Sequence, residues 1–212
     1  QNCGAQTRQF FGRCNSCGEW NAIIEEKITR EANKSSLTKI NSPTEKIPYR
    51  SELIGHKKNY QIERISSGYK EFDRVLGGGL VPGSLVLIGG DPGIGKSTLI
   101  LQSATSMAHE KSVLYVAAEE SAEQVRLRWD RIEESDSNLH LLAETDLEMV
   151  IKELDSLKPN VAIIDSIQAL HDPNLSSAPG SVAQVRECSS SLQRVAKKQN
   201  TALFIIGHVT KD

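Results

Sequence analysis

The stretch GGDPGIGKST, residues 89–98, decides the fold class of this chain. It contains the pattern G-x-x-x-x-G-K-S over residues 90–97, and it stands between the β-rich run 84–90 and the helical run 97–108. This is the P-loop pattern, in the strand-to-helix context that it requires. The glycines let backbone N–H groups wrap phosphate oxygens, and the helix N-terminus adds partial positive charge. The stretch therefore predicts a binding site for the phosphates of ATP.

The side chains of the P-loop are expected to contact different parts of the nucleotide. Lys96 reaches the β- and γ-phosphates, the Ser97 hydroxyl holds Mg²⁺, and Thr98 contacts the α-phosphate. The alternative is a glycine-rich turn before an ordinary helix, which does not account for the whole pattern in this context. The predicted nucleotide-binding residues are Gly90, Asp91, Pro92, Gly93, Ile94, Gly95, Lys96, Ser97 and Thr98.

Apolar runs on either side of the P-loop predict a parallel sheet. The runs are almost continuous, which is typical of strands that are covered on both faces. Segments with helical periodicity follow them, three opening with a capping-box pattern at Ser121–Gln124, Thr145–Glu148 and Ser181–Gln184. The sequence thus predicts an α/β fold with a mostly parallel sheet. The predicted strands are 84–90, 112–118, 160–166 and 201–208, with 139–143 as a weaker fifth.

Polar residues at the ends of these strands are candidates for metal binding and catalysis. Asp165 would face the crevice at the carboxyl ends of the strands and bind Mg²⁺ through water. Glu119 and Glu120 end the strand expected beside the P-loop strand. They either activate water or simply begin a helix, where acidic residues suit the dipole. His208 and Lys211 end the last strand and are candidates for sensing the γ-phosphate, although a lone histidine is more often structural.

Composition divides the chain into three segments and favours a cytosolic protein. Residues 1–24 carry clustered cysteines, residues 25–62 form a polar linker, and residues 63–212 form the α/β core. Apolar residues make up 38% and charged residues 25%, with no run typical of a membrane span or signal peptide. Residues 1–70 hold 12 basic and 7 acidic residues, whereas residues 71–212 hold 13 and 20. The excess of basic residues over residues 1–70 permits a polyanionic partner, but it is equally consistent with charged side chains that are simply solvated at the surface.

The cysteines indicate an incomplete metal site. Cys14 and Cys17 form a C-x-x-C pair, and Cys3 stands alone before them. In the cytosol such a cluster suggests zinc more than a disulfide. Three thiolates leave one position of a tetrahedral zinc site to be filled. Cys188 lies on a helical pattern and is expected to be a buried, small apolar residue.

The quoted motifs, taken together, resemble the bacterial RadA/Sms family of DNA-repair ATPases. The segments that carry the resemblance are CGAQTRQFFGRCNSCGEWNAIIEE (3–26), RISSGYKEFDRVLGGGLVPGSLVLIGGDPGIGKSTLILQ (64–102), YVAAEES (115–121), IIDSIQAL (163–170), APGSVAQVREC (178–188) and IIGHVTKD (205–212). The resemblance implies a RecA-like ATPase core behind a four-cysteine zinc finger. It also implies a DNA-stimulated ATPase that drives branch migration and strand-exchange extension on single-stranded or branched DNA. Further implications are a homohexamer, a recombinase partner and no membrane association.

The resemblance also assigns roles to individual residues. It implies that Glu119 is the catalytic base and that Asp165 acts at Mg²⁺. It places residues 171–180 in a mobile loop that faces the channel of the ring, with Arg186 and Lys197–Lys198 as aids to phosphate contact.

The same resemblance bears on the metal site and on the extent of the chain. The family's finger has ten residues between its two C-x-x-C pairs, so Cys3 would be the second zinc ligand and the first would precede Gln1. We therefore expect a fragment of a longer protein.

The sequence also allows three other interpretations. A regulatory ATPase similar to the KaiC group shares the core and a tandem glutamate pair, but lacks the cysteine-bearing front. A small-molecule kinase would carry a substrate lid and would need an acceptor other than water. A zinc-ribbon docking module with an inert nucleotide fold would not need an intact set of Lys96, Ser97, Glu119 and Asp165.

Overall fold

The computed structural model describes residues 13, 17, 18, 20, 63–132 and 138–208. The chain forms two compact units, Gln1–His56 and Lys57–Asp212. Cys3, Cys14, Lys211 and the whole of the expected linker 25–62 lie outside the described residues. Within the described part of the chain, no helix is long and apolar enough to cross a lipid bilayer.

The described residues of the first unit belong to a small turn. Arg13 and Trp20 form an antiparallel bridge. The Arg13 Nε donates a hydrogen bond to the Gly18 carbonyl at 2.7 Å, and its guanidinium carbon lies 5.8 Å from the centroid of the Trp20 ring. Cys17 is exposed on this turn.

The second unit alternates strands and helices, as the sequence predicts. Its strands are β1 (Leu85–Gly90), β2 (Val113–Ala117), β3 (Leu139–Ala143), β4 (Val161–Asp165) and β5 (Ala202–His208). Its helices are α1 (Lys70–Val75), α2 (Lys96–Ala108), α3 (Ala122–Trp129), α4 (Leu147–Leu157) and α5 (Val182–Gln199), with a short 3₁₀ turn at Ile167–Ala169. Each strand begins and ends within one residue of its predicted bounds.

The five strands form one sheet in the order β1-β5-β4-β2-β3, and every pairing among them is parallel. The predicted mostly parallel α/β fold is confirmed. One expectation about it is wrong, because the strand that precedes Glu119 is β2, and β5 and β4 separate it from the P-loop strand β1. Order along the chain does not fix strand order, since a helical crossover can carry the chain past intervening positions in the sheet.

Helices cover both faces of the sheet, so the central strands are buried throughout. In β4, Val161 and Ile163 pack on the side that carries α2 and α3, whereas Ala162 and Ile164 pack on the side that carries α4 and α5. This alternation follows the period of two of a strand and explains the nearly continuous apolar runs. Cys188 on α5 is fully buried in the second cluster, as expected, and burial raises the pKa of its thiol to about 11.

The helix caps agree only in part with the predicted capping boxes. Ser121 caps α3 with both reciprocal hydrogen bonds to Gln124. The prediction for α4 is wrong by one residue, because Asp146 caps it and accepts from the Glu148 amide. At α5, Ser181 accepts from the Gln184 amide at 3.4 Å, but the Gln184 side chain turns away to other partners. The second hydrogen bond of the capping box is therefore absent at α5, because the buried Gln184 side chain has hydrogen-bond partners elsewhere in the fold.

Candidate nucleotide-binding site

The P-loop connects β1 to α2 at the carboxyl edge of the sheet. Residues 91–95 are exposed, and Gly93 and Gly95 have φ angles of 79° and 95°. Residues with side chains rarely adopt these values, so the two glycines allow the backbone to curl around a ligand. Gly95 is the N-cap residue of α2, and no side chain forms a capping hydrogen bond there. The first amides of α2 are therefore available to an anion at the positive end of the helix dipole.

Lys96 places its ammonium group inside the P-loop. The residue is buried, and its Nζ donates hydrogen bonds to the carbonyls of Gly90 and Asp91, both at 2.9 Å. A buried ammonium group requires such partners. The loop carbonyls hold the positive charge beneath the exposed backbone of residues 91–95, where phosphate oxygens would bind.

Ser97 and Asp165, far apart in sequence, meet beside the P-loop. The Ser97 hydroxyl donates to Oδ1 of Asp165 at 3.1 Å. Asp165 ends β4 and is 6% exposed. A hydroxyl and a carboxylate oxygen are hard donors of the kind that Mg²⁺ prefers next to nucleotide phosphates. The two residues present therefore fit a Mg²⁺ site.

Tyr115 also belongs to the site, although none of the sequence motifs predicted it. Its hydroxyl donates to the other oxygen of Asp165, Oδ2, at 2.5 Å. Burial raises the pKa of Tyr115 far above its usual value, and the charge of Asp165 raises it further. The hydroxyl therefore remains protonated and acts as a donor. A signal was present in the sequence, because a tyrosine inside a buried apolar strand needs a partner for its hydroxyl.

Glu119 lies between two polar side chains from neighbouring strands. Ser166, directly after β4, donates its hydroxyl to Oε1 of Glu119. The Nε2 of His208, at the end of β5, lies 3.0 Å from Oε1 and 3.2 Å from Oε2 of the same carboxylate. The Nδ1 of that ring lies 3.4 Å from the Nζ of Lys96. A histidine with its proton on Nε2 donates to Glu119 and leaves Nδ1 to accept from Lys96.

Backbone hydrogen bonds continue the β2–β4 pairing beyond the ends of the strands. The amides of Ala118 and Glu119 both donate to the carbonyl of Asp165, at 2.8 and 3.3 Å. The side-chain amide of Gln168 donates to the His208 carbonyl at 3.2 Å. The side-chain contacts described above bring five of the predicted site residues together at one edge of the sheet: Lys96, Ser97, Glu119, Asp165 and His208.

Glu120 points away from this cluster. Its carboxylate forms an ion pair with Arg128, one of the last residues of α3. Arg128 is the more buried partner, with 19% of its side chain exposed against 41% for Glu120. The two neighbouring glutamates therefore have different partners, and only Glu119 contacts His208 and Ser166.

The segment 171–180, which the family resemblance places at the channel of the ring, is held by hydrogen bonds to the Gln184 side chain. The Gln184 side chain is buried, accepts from the Asp172 amide at 2.8 Å and donates to the carbonyls of Asp172 and Ser177 at 3.2 and 3.0 Å. Arg186 is exposed near this end of α5. Lys197 and Lys198 lie in the last turn of that helix, about 16 Å further along its axis at 1.5 Å per residue.

The expected zinc site falls largely outside the described part of the chain. Of its candidate ligands Cys3, Cys14 and Cys17, only Cys17 is described. Among the residues that the structure describes, no group of three or more histidine, cysteine, aspartate or glutamate side chains could hold a metal ion.

Comparisons with protein families give matches over both units. Residues 57–212 match the family described as "AAA domain", and residues 1–25 match the family described as "Rubredoxin metal binding domain". The first match extends over the whole of the P-loop unit.

Several curated proteins named "DNA repair protein RadA" are similar to this chain over its full length. The proteins from Streptococcus pyogenes serotype M6, Listeria monocytogenes serovar 1/2a and Halalkalibacterium halodurans are 43%, 45% and 46% identical to it. Each alignment covers 100% of this chain and 46% of the relative. The chain thus spans about half the length of these relatives.

Solved structures agree with the α/β architecture. A DnaB-like replicative helicase, described with its interactions with primase, has a TM-score of 0.61 at 18% identity over 71% of this chain and 44% of its own. A second solved structure, described as an ATPase domain, has a TM-score of 0.59 at 16% identity, over 73% of this chain and 66% of its own. At these identities the likeness concerns the fold alone, and it agrees with the predicted RecA-like core.

Proposed function

Because the chain belongs to the AAA-domain family, which its residues 57–212 match, we propose that it binds ATP at the P-loop and hydrolyses it. One observation carries this proposal. A lysine, a hydroxyl–carboxylate pair and a second carboxylate converge at one sheet edge through the contacts Lys96–His208, Ser97–Asp165 and His208–Glu119. Phosphate binding, metal binding and activation of water need these three kinds of group.

When the triphosphate binds, Lys96 exchanges its hydrogen bonds to P-loop carbonyls for hydrogen bonds to phosphate oxygens. The Nζ of Lys96 now donates to two loop carbonyls at 2.9 Å. Phosphate oxygens are stronger acceptors than carbonyls, because they carry charge. The ammonium group therefore turns toward the β- and γ-phosphates without needing a new position for the helix. The backbone amides of the exposed residues 93–95 and of the start of α2 bind the remaining phosphate oxygens.

Ser97 and Asp165 are the residues that would hold Mg²⁺, which when bound would neutralise the charge of the phosphates. Glu119 accepts the proton of the attacking water as a general base. His208 contacts both Lys96 and Glu119. A movement of Lys96 toward phosphate would therefore change the contacts of the His208 ring, and through them the environment of the Glu119 carboxylate. We assign it, with Lys211 after β5, to sensing of the γ-phosphate.

We propose further that the natural protein uses this hydrolysis in DNA repair. The support is the similarity to proteins named for DNA repair over the whole of this chain. In this proposal, ATP hydrolysis is stimulated by single-stranded or branched DNA and drives strand-exchange extension. The partly exposed segment 171–180 contacts DNA, and the exposed Arg186, Lys197 and Lys198 of α5 aid phosphate contact.

The assembly, partners and metal of the natural protein belong to the same proposal. We assign it a homohexameric ring, a recombinase partner and a place in the cytoplasm, where bacterial DNA lies. Zn²⁺ would be held by Cys3, Cys14 and Cys17, in the segment that matches a metal-binding family.

Phosphate release by the natural full-length protein tests the proposal, measured with single-stranded DNA, with duplex DNA and with none. The matched variant is Lys96→Ala, which removes the positive charge at the β- and γ-phosphates and should lower turnover at least about a hundredfold. Hydrolysis near the wild-type rate in that variant would exclude the P-loop as the site. If DNA leaves the rate of hydrolysis unchanged, the proposed ATPase activity stands and the proposed action on DNA is refuted.

A further inference from the structure

Two hydroxyl–carboxylate hydrogen bonds cross between strands β2 and β4 in opposite directions. Tyr115, on β2, donates to Asp165 at the end of β4. Ser166, the residue after β4, donates to Glu119, which lies just beyond the end of β2. The register explains the exchange, because Ala117 lies opposite Asp165 and the two strands end together. Each strand thus supplies the hydroxyl that holds the other strand's carboxylate.

Both hydroxyls come from fully buried residues. Tyr115 and Ser166 are each 0% exposed, and Asp165 is 6% exposed. Water cannot replace a donor beside the buried Asp165, so removing the Tyr115 hydroxyl leaves Oδ2 without its partner. Glu119 is exposed, and without the Ser166 hydroxyl its Oε1 keeps only the contact with His208, so the carboxylate loses the buried donor that fixes its orientation. Nor is either hydroxyl needed for the sheet, whose ladder is formed by the backbone.

The two contacts limit the orientations of the carboxylates. Tyr115 occupies Oδ2 of Asp165, which leaves Oδ1 directed at Ser97, 3.1 Å away. Ser166 occupies Oε1 of Glu119, and His208 lies against both oxygens from the other side. Neither carboxylate can rotate without losing a hydrogen bond.

We propose that Tyr115 and Ser166 are a reciprocal pair of positioning residues, in which Tyr115 orients Asp165 toward the metal and Ser166 orients Glu119 toward the attacking water. This inference rests on the proposed ATPase function. It couples metal binding to water activation through the β2–β4 pair, because a shift of one strand against the other would disturb both carboxylates at once. It also explains a tyrosine and a serine at buried positions where purely apolar residues would otherwise pack.

The test separates metal affinity from turnover in the natural full-length protein. Tyr115→Phe keeps the ring and removes only the hydroxyl, and Ser166→Ala removes only the second hydroxyl. The matched control is Ser103→Ala, because Ser103 is also fully buried and donates its hydroxyl to a backbone carbonyl, that of Ser67, at 2.9 Å. For each variant, Mn²⁺ affinity of the ADP-saturated protein is measured by electron paramagnetic resonance, turnover by phosphate release, and the thermal midpoint by calorimetry.

The two variants should fail in different ways. Tyr115→Phe should weaken Mn²⁺ binding about tenfold, the scale expected for one hydrogen bond to a charged group. It should raise the Mg²⁺ concentration needed for half-maximal turnover by the same factor. Ser166→Ala should lower kcat about tenfold while Mn²⁺ affinity and KM stay near wild type. In a Glu119→Gln background it should cause no further loss of turnover, because the general base that Ser166 orients is already absent. Ser103→Ala should lower only the thermal midpoint.

Two results would overturn the inference. The first is a Mn²⁺ affinity of Tyr115→Phe equal to that of the wild type, which is sufficient by itself, whether or not Ser166→Ala folds. Parallel losses of affinity and turnover in all three variants, in proportion to their thermal midpoints, would reduce both hydroxyls to a structural role. A wild-type protein without hydrolysis would instead refute the proposed function, and the Mn²⁺ measurement would still decide the role of Tyr115.

Discussion

Glu119→Gln is expected to separate nucleotide binding from hydrolysis. The amide keeps the size of the side chain, and its oxygen can still accept from Ser166 and from Nε2 of His208, which now lies 3.0 Å from Oε1. The packing of the site is therefore retained, and the main change is the loss of a group that can accept a proton. Loss of a general base lowers the rate of the chemical step about a hundredfold to ten-thousandfold, and we expect kcat to fall within that range.

Glu120→Gln is the matched control, because it makes the same chemical change at the neighbouring residue. Glu120 is paired with the mostly buried Arg128, and the oxygen of a glutamine at this position can still accept a hydrogen bond from that guanidinium group. Its removal should leave kcat within a few-fold of wild type.

The assay combines equilibrium binding of a fluorescent ATP analogue with phosphate release in a single turnover. Both variants should bind the analogue about as well as the wild type, whereas only Glu119→Gln should lose the release step. An inactive Glu120→Gln beside an active Glu119→Gln would refute the reasoning from geometry and would exchange the roles of the two residues. Weak binding by Glu119→Gln would mean that the carboxylate supports the nucleotide pocket and does not act mainly in chemistry.

Three further predictions concern other parts of the molecule. Replacing residues 174–178 by glycine and serine should spare basal hydrolysis and reduce its stimulation by single-stranded DNA; unchanged stimulation would place the DNA contact elsewhere. Leu192→Ala, at a fully buried position of α5, should lower the free energy of unfolding by about 2–5 kcal/mol in a denaturant titration, and a loss well below that range would show that the site collapses around the smaller residue. Cys17→Ser should reduce the zinc content measured by elemental analysis and leave ATP affinity unchanged; full zinc content in the variant would exclude Cys17 as a ligand.

The sequence by itself determined the elements and the fold class. The P-loop pattern located β1 and α2, and apolar runs located all five strands to within one residue. The capping box at Ser121 was also visible. These features depend on residues close together in the chain, whose periodicity and hydrogen-bonding preferences act locally. The same reasoning found Lys96, Ser97 and Asp165, since a motif and a strand end define them.

Only the tertiary structure decided which side chains meet. It placed β5 and β4 between β1 and β2, against expectation, and it turned Glu119 toward His208 but Glu120 toward Arg128. The contacts of Ser166 with Glu119 and of Tyr115 with Asp165 join residues 47 and 50 positions apart. Such contacts depend on strand order and register, which are set by pairing and packing across the whole sheet. No local pattern carries that information, because the same apolar strands could be laid side by side in more than one order, and each order would bring different side chains to the carboxyl edge.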